Sequence, residues 1–164
     1  MKYILKDNRT GKDGQVLTKL SVMKDDNHLI FSFEAYGSSL NSFSSIDNDT
    51  LWKGDVVEVF LDVGEKDSYL EIEVAPNGAR FVANIINREI HFIDNSFVKT
   101  KSAIKNDAYF VDIDIDLSKL NITAPLMFNA YRIETLGIQS DYLFLAINPT
   151  LSNTFHVRDS FIKV

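Results

Sequence analysis

Leu51-Trp52-Lys53-Gly54-Asp55-Val56-Val57-Glu58-Val59-Phe60-Leu61-Asp62-Val63 is followed, across Gly64 to Ser68, by Tyr69-Leu70-Glu71-Ile72-Glu73-Val74-Ala75-Pro76-Asn77-Gly78. Both runs alternate with the period of two that places successive side chains on opposite faces of a strand. Val57, Val59, Leu61 and Val63 share one face of the first run, and Leu70, Ile72 and Val74 share one face of the second. Paired antiparallel on a core, the two strands turn Glu58, Asp62, Glu71, Glu73, Phe60 and Tyr69 to a single opposite surface. So many carboxylates on one face repel each other unless something compensates. Three compensations stay open: solvent, basic side chains such as Arg80, Arg88 or Arg132, or a ligand.

Working outward from this pair, strand signals dominate and sustained helical periodicity is nearly absent. Leu29 to Tyr36 alternates with Leu29, Phe31, Phe33 and Ala35 on one side. Further runs predict strands at Ala79 to Ile86, Glu89 to Ile93, Phe97 to Ile104, Tyr109 to Ile115, Leu126 to Glu134, Tyr142 to Ile147 and Phe155 to Ile162, about ten strands in all. Asn106-Asp107 reads as a hairpin turn, and Pro76-Asn77-Gly78 places Asn and Gly where positive φ is tolerated. Asp116 to Leu120 predicts one short helical turn. Many short strands with no helices between them predict an all-β antiparallel sandwich or barrel over residues 1–164. The longest irregular piece, Gly37 to Thr50, is rich in Ser, Asn and Asp, and loops of that length tend to be functional.

With 164 residues and 45% hydrophobic content, the chain can bury one sizeable core. Its 23 acidic against 17 basic residues give a net charge of -6, and no basic run is present to neutralise phosphates, so no nucleic-acid partner is expected. There is no cysteine, which excludes disulfides, thiolate catalysis and Cys-based zinc sites. No segment approaches the roughly 20 apolar residues of a membrane span, and the start Met1 to Asp7 lacks a signal-peptide core. As written the chain is expected in the cytoplasm without a membrane partner; as a piece of a longer secreted protein it would be extracellular. Nothing in the sequence speaks to oligomeric state.

The three histidines, His28, His91 and His156, lack the spacing of a catalytic zinc site. With Met23 and Met127 as the internal methionines, no Met/His pair suits haem, and no haem is expected. Glycine-rich phosphate loops and G-x-S-x-G elbows are absent. Glu71 and Glu73 stand roughly 7 Å apart along one strand face, a spacing open to a glycosidase pair and equally to any alternating strand. Asp112-Ile113-Asp114-Ile115-Asp116 puts three aspartates on one face, read as a charge-protected edge strand or, with the Asp47-Asn48-Asp49 loop, as a calcium site. On the Trp52 surface, an aromatic face and neighbouring carboxylates suit a sugar ring and its hydroxyls, and oxygen ligands also suit calcium.

The run Leu51 to Asp62 resembles the W-x-x-D-x-V-E-x-F-x-D signature of the family 9 carbohydrate-binding modules. Tyr69 to Gly78, Phe128-Asn129-Ala130-Tyr131-Arg132-Ile133-Glu134, and Asn148-Pro149-Thr150 leading to Phe155-His156 and Phe161 match the same family in order and approximate spacing. The resemblance implies an immunoglobulin-like β-sandwich related to DOMON domains, with no catalytic activity of its own, carbohydrate as partner and calcium at structural sites. Carried over by position, Trp52 matches the first sugar-stacking ring, Glu58 the acidic hydrogen-bonding residue, and Phe155 the second ring. Glu73 stands where those members have a ligand-contacting Arg, and Ala75 where they have a contacting Asn. Arg132 and His156 are what this chain offers instead, Arg132 by pairing with Glu71 or Glu73 or by donating into the site. The expected ligand-binding set is therefore Trp52, Glu58, Glu71, Glu73, Arg132, Phe155 and His156, with no residues assigned to a metal. The competing reading is a carbohydrate-active enzyme, or an accessory subunit of a glycoside hydrolase, that uses the acidic face.

Overall fold

The computed structural model describes residues 1–136 and 142–164. Among the described residues thirteen strands alternate with turns: β1 Lys2–Ile4, β2 Lys6–Asp7, β3 Thr18–Lys24, β4 His28–Ala35, β5 Val56–Asp62, β6 Ser68–Val74, β7 Arg80–Ile86, β8 Glu89–Phe92, β9 Val98–Lys105, β10 Ala108–Asp116, β11 Met127–Glu134, β12 Leu143–Ala146 and β13 Ile162–Lys163. One sheet has the order β1-β3-β4-β10-β9; the other runs β2-β12-β11-β5-β6-β7-β8, with β13 also on β11. The pairings between these strands are antiparallel. The fold is an all-β sandwich, and among the described residues no helix is long and apolar enough to cross a membrane.

Phe31, Phe33, Ile113, Val59, Ile72 and Phe128 interdigitate between the sheets in one continuous core. Asn106 at positive φ makes the β9–β10 turn, Gly78 at φ 91 makes the β6–β7 turn, and Leu117–Lys119 is a single 3₁₀ turn capped by Asp116. Several elements differ from expectation, the short N-terminal strands β1 and β2 among them. β3 was not read from the sequence, since its buried Thr18, Leu20 and Val22 alternate with a face that also carries Met23. Phe155 to Ile162 is not a strand: hydrogen bonds from Val157 to Phe155, Ser160 to Val157 and Phe161 to Arg158 fold it into tight turns, leaving only β13 extended.

The aspartates of β10 lie on an inner strand, between β4 and β9, not on an edge. Asp112 and Asp114 stand opposite Lys101 and Lys99, Ser32 donates to Asp112, and Asp114 pairs with His28 at 2.7 Å. The Asp47-Asn48 loop is engaged elsewhere, accepting from the backbone of Arg80 and Val82.

The outer face of the large sheet is not the solvated surface that charge alone suggests. It carries a second apolar cluster, including Val56, Phe60, Tyr69, Phe81, Tyr131 and Phe161. Covering it takes two segments. On one side, Asp55 gathers the Gly37–Thr50 loop: its carboxylate accepts from the hydroxyls of Ser38 and Ser39, the amide of Asn41, and both the amide and hydroxyl of Thr135. On the other, Asn129 donates to Asn148 and Ser160, and Tyr131 donates to the carbonyl of Phe155, pinning the segment from Asn148 to Ser160 over β11.

Gly54 is needed for close approach, not for its dihedrals. A Cβ there would lie 2.4 Å from the Asn41 carbonyl oxygen and 2.6 Å from the Phe43 amide nitrogen. Gly54→Ala is expected to displace the loop and cost roughly 1–3 kcal/mol, the usual penalty for overpacking, measured by urea denaturation with Trp52 fluorescence as the probe.

Candidate functional site

Between these two covers the sheet face stays open as a cavity of about 260 Å³. Its floor is formed by Glu58 of β5 and by Glu71 and Glu73 of β6, which project together because Glu58 stands directly opposite Glu73 in an antiparallel register. Trp52, Ile85, Ile90, Ile133 and Phe144 supply apolar wall, while Arg88, Asn153, Thr154, Phe155 and His156 complete the lining. Trp52 sits in a 3₁₀ turn, Leu51–Lys53, half-buried with its ring in edge contact with Phe81 at 5.6 Å.

Six of the seven residues expected from the sequence thus line one cavity. Arg132 does not. It lies on the inner face of β11, fully buried, where its guanidinium meets Glu134 at 2.6 Å and donates to Thr18 and to the carbonyls of Leu17 and Tyr36. Pairing with Glu71 or Glu73 is excluded by that placement. Ala75, fully buried, is not among the cavity-lining residues either.

Phe155 differs from a free stacking platform. It is 6% exposed, one ring face stacks on Tyr131 at 4.2 Å, and Phe144 meets it edge-on. His156 stacks on Phe60 at 5.2 Å and shares a hydrogen bond of 2.5 Å with the Tyr69 hydroxyl. Burial, aided by the nearby Arg88 charge, lowers the pKa of His156, so the imidazole is neutral at pH 7. Ile85, Ile90, Phe144 and the Asn153-Thr154 pair were not expected at the site. The outward-facing apolar residues on β7, β8 and β12 were the signal for the first three.

The electrostatics of the floor are unusual. Glu58, Glu71 and Glu73 are 2%, 6% and 1% exposed, and each contributes an oxygen within 4.8 Å of the others. Burial pushes all three above the ordinary carboxylate range, Glu71 to about 7, with mutual repulsion adding to Glu58 and Glu73. Among the described residues Glu71 Oε2 and Glu73 Oε2 accept from no other side chain or amide, and the two carboxyl groups hydrogen-bond only to each other. The arginines that could have neutralised them are spoken for: Arg80 binds Val98 O and Asn95, Arg132 binds Glu134, and Arg158 binds Asp62 at 2.6 Å. Arg88 is exposed at the rim and donates to none of the three.

No protein-family model matches the chain. An extracellular protein of Arthroderma benhamiae is 27% identical over 139 residues, which is 71% of this chain and 63% of that relative, so the chain spans less than two thirds of its length. Among solved structures, a candidate carbohydrate-binding protein from Bacteroides uniformis superposes with a TM-score of 0.81 at 15% identity, over 98% of this chain and 84% of that one. A family 9 carbohydrate-binding module from Caldicellulosiruptor kristjanssonii in complex with glucose gives 0.71 at 23% identity, over 98% and 82% of the two chains; one from the same organism with cellotriose gives 0.67 at 24%, over 90% and 72%. The chain has the fold of the family 9 modules.

Proposed function

We propose that this protein is a non-catalytic carbohydrate-binding domain whose ligand enters the cavity beside Trp52. The observation that carries the reading is the cavity itself: an aromatic and apolar wall set over three convergent carboxyl groups, on a fold that other proteins use for glucose and cellotriose. Its volume lies just below the roughly 300–1,000 Å³ of pockets for drug-sized ligands, a size suited to one or two sugar rings. Trp52 supplies the stacking surface, Phe155 a fixed wall, and the glutamates hydrogen-bond to ring hydroxyls. The three carboxylates converge on one point and do not flank a bond from opposite sides, which favours binding over glycoside hydrolysis. An extracellular setting agrees with this role and with the named relative.

A glycan array followed by calorimetry with cellotriose tests the proposal. Trp52→Ala is expected to weaken binding more than tenfold, about 1.4 kcal/mol, with a smaller loss of stability in urea, because the ring is only partly buried. A loss of stability equal to the loss of binding would make Trp52 a core residue, and turnover of a chromogenic glycoside that disappears in Glu71→Gln would establish the enzyme reading instead.

A further inference from the structure

The cavity floor presents a buried cluster of three carboxyl groups to which, among the described residues, no basic side chain is bonded. Glu71 and Glu73 are each more than nine-tenths buried, both line the cavity, and in each Oε2 finds no donor from any other described residue, the two carboxyl groups being close enough only to share a proton with each other. Among the described residues no basic side chain hydrogen-bonds to Glu58, Glu71 or Glu73. Carboxylates directly opposite each other on adjacent strands destabilise a sheet, and Glu58 and Glu73 are such a pair. Burial without a partner charge makes the cost larger.

We propose that Glu58, Glu71 and Glu73 form a divalent-cation site for calcium, with its open coordination positions turned to the cavity to receive sugar hydroxyls. This rests on the carbohydrate reading for its second half only. Two oxygens bound to one calcium at 2.3–2.6 Å stand at most about 5 Å apart. Three oxygens mutually within 4.8 Å therefore satisfy the reach of a single ion. The donor set is oxygen only, which selects hard cations over zinc or copper. His156 does not join it: Nδ1 bonds to Tyr69 and is 3.9 Å from Glu71 Oε2. Rigid neighbouring strands hold two of the three ligands in cross-strand register, and Glu71 lies two residues along the same face.

Calcium takes six to eight oxygens, so three monodentate carboxylates leave at least three positions. These face the one side of the floor that is not packed protein, where a vicinal diol completes the shell. An ion here is the positive group of the pocket. It neutralises the floor and fixes hydroxyl geometry together.

Metal-stripped protein is titrated with calcium chloride by calorimetry, and separately with terbium, exciting Trp52, the only tryptophan. The expected result is one ion per chain, with a dissociation constant below about 1 mM, and sensitised terbium emission displaced by calcium. Glu73→Gln should weaken calcium at least tenfold while raising the urea midpoint of the metal-free protein at alkaline pH, where the buried carboxyl is forced to ionise; a merely structural Glu73 would lower that midpoint. Failure of both metals to bind, or unchanged calcium affinity in Glu73→Gln, overturns the site. Cellotriose affinity should fall at least tenfold in EDTA, and equal affinity with and without calcium overturns the open-position half. Stoichiometric calcium binding with no cellotriose binding under either condition supports the ion site and refutes the carbohydrate reading, so the two failures are distinguishable.

Discussion

Arg132→Ala should lower the free energy of unfolding by about 3–5 kcal/mol, the range for breaking a buried ion pair from one side, and leave ligand affinity unchanged wherever the variant is folded. The substitution strands Glu134, which is fully buried, with, among the described residues, only the amides of Ser39 and Leu136 to share its charge. It also removes the donor that joins β11 to Thr18 and to the Leu17 and Tyr36 carbonyls of the facing sheet. The guanidinium's contact with the Tyr109 ring, at 5.7 Å, goes as well. For a domain of this size each kcal/mol moves the melting temperature by roughly 2–4 °C, so a drop of order 10 °C is readable by calorimetry. Replacing both partners by apolar residues, as in Arg132→Met with Glu134→Leu, should recover part of the loss, because no uncompensated charge remains. A ligand role for Arg132 would show the reverse pattern, with affinity lost and stability kept.

Why Arg132 misled is a matter of periodicity. In Phe128-Asn129-Ala130-Tyr131-Arg132-Ile133-Glu134 both parities carry apolar and polar residues, because both faces of β11 are buried, one in the main core and one under the 148–160 segment. Alternation announces facing only where the two faces differ in chemistry, as an aliphatic face does from one carrying carboxylates. For β5 and β6 the inner faces are uniformly aliphatic, so the register and the shared surface of Glu58, Glu71, Glu73, Phe60 and Tyr69 could be read directly. What could not be read was that this surface is roofed. The roof comes from segments distant in sequence, one irregular and one folded in tight turns, whose Phe155, Val157 and Phe161 mimic a strand's spacing. Its anchors, Asp55, Asn129 and Asn148, look like ordinary polar residues until their hydrogen bonds are seen.

The buried glutamates give the metal-free protein an expected pH dependence opposite to that of ordinary acid denaturation. In the unfolded chain Glu71 titrates near its ordinary 4.5; in the fold, burial holds it at about 7. A raised folded pKa means that the native state binds the extra proton, so the stabilisation is complete below about 4.5 and is lost as pH rises through about 7. A displacement of this size is worth about 3 kcal/mol at 1.36 kcal/mol per unit, and Glu58 and Glu73, raised in the same direction, extend the loss to higher pH. Asp7, Asp25, Asp49, Asp94 and Asp116 have lowered pKa values and act in the opposite sense. Their transitions fall at or below the ordinary 3.8, outside the window from pH 5 to 8. Within it, His28, raised by Asp114, adds stability that fades as pH rises, while His156, lowered by burial, adds stability that fades as pH falls. The two histidines therefore oppose one another, and comparison with Glu71→Gln isolates the carboxylates. Urea denaturation in EDTA should show wild type less stable at pH 8 than at pH 5, by roughly 2 kcal/mol more than any change in Glu71→Gln. Saturating calcium should erase that difference, because an ion on the same oxygens makes the ionised form the favoured one. A wild-type curve in EDTA that parallels the variant's would mean the three carboxylates are neutralised by some other group.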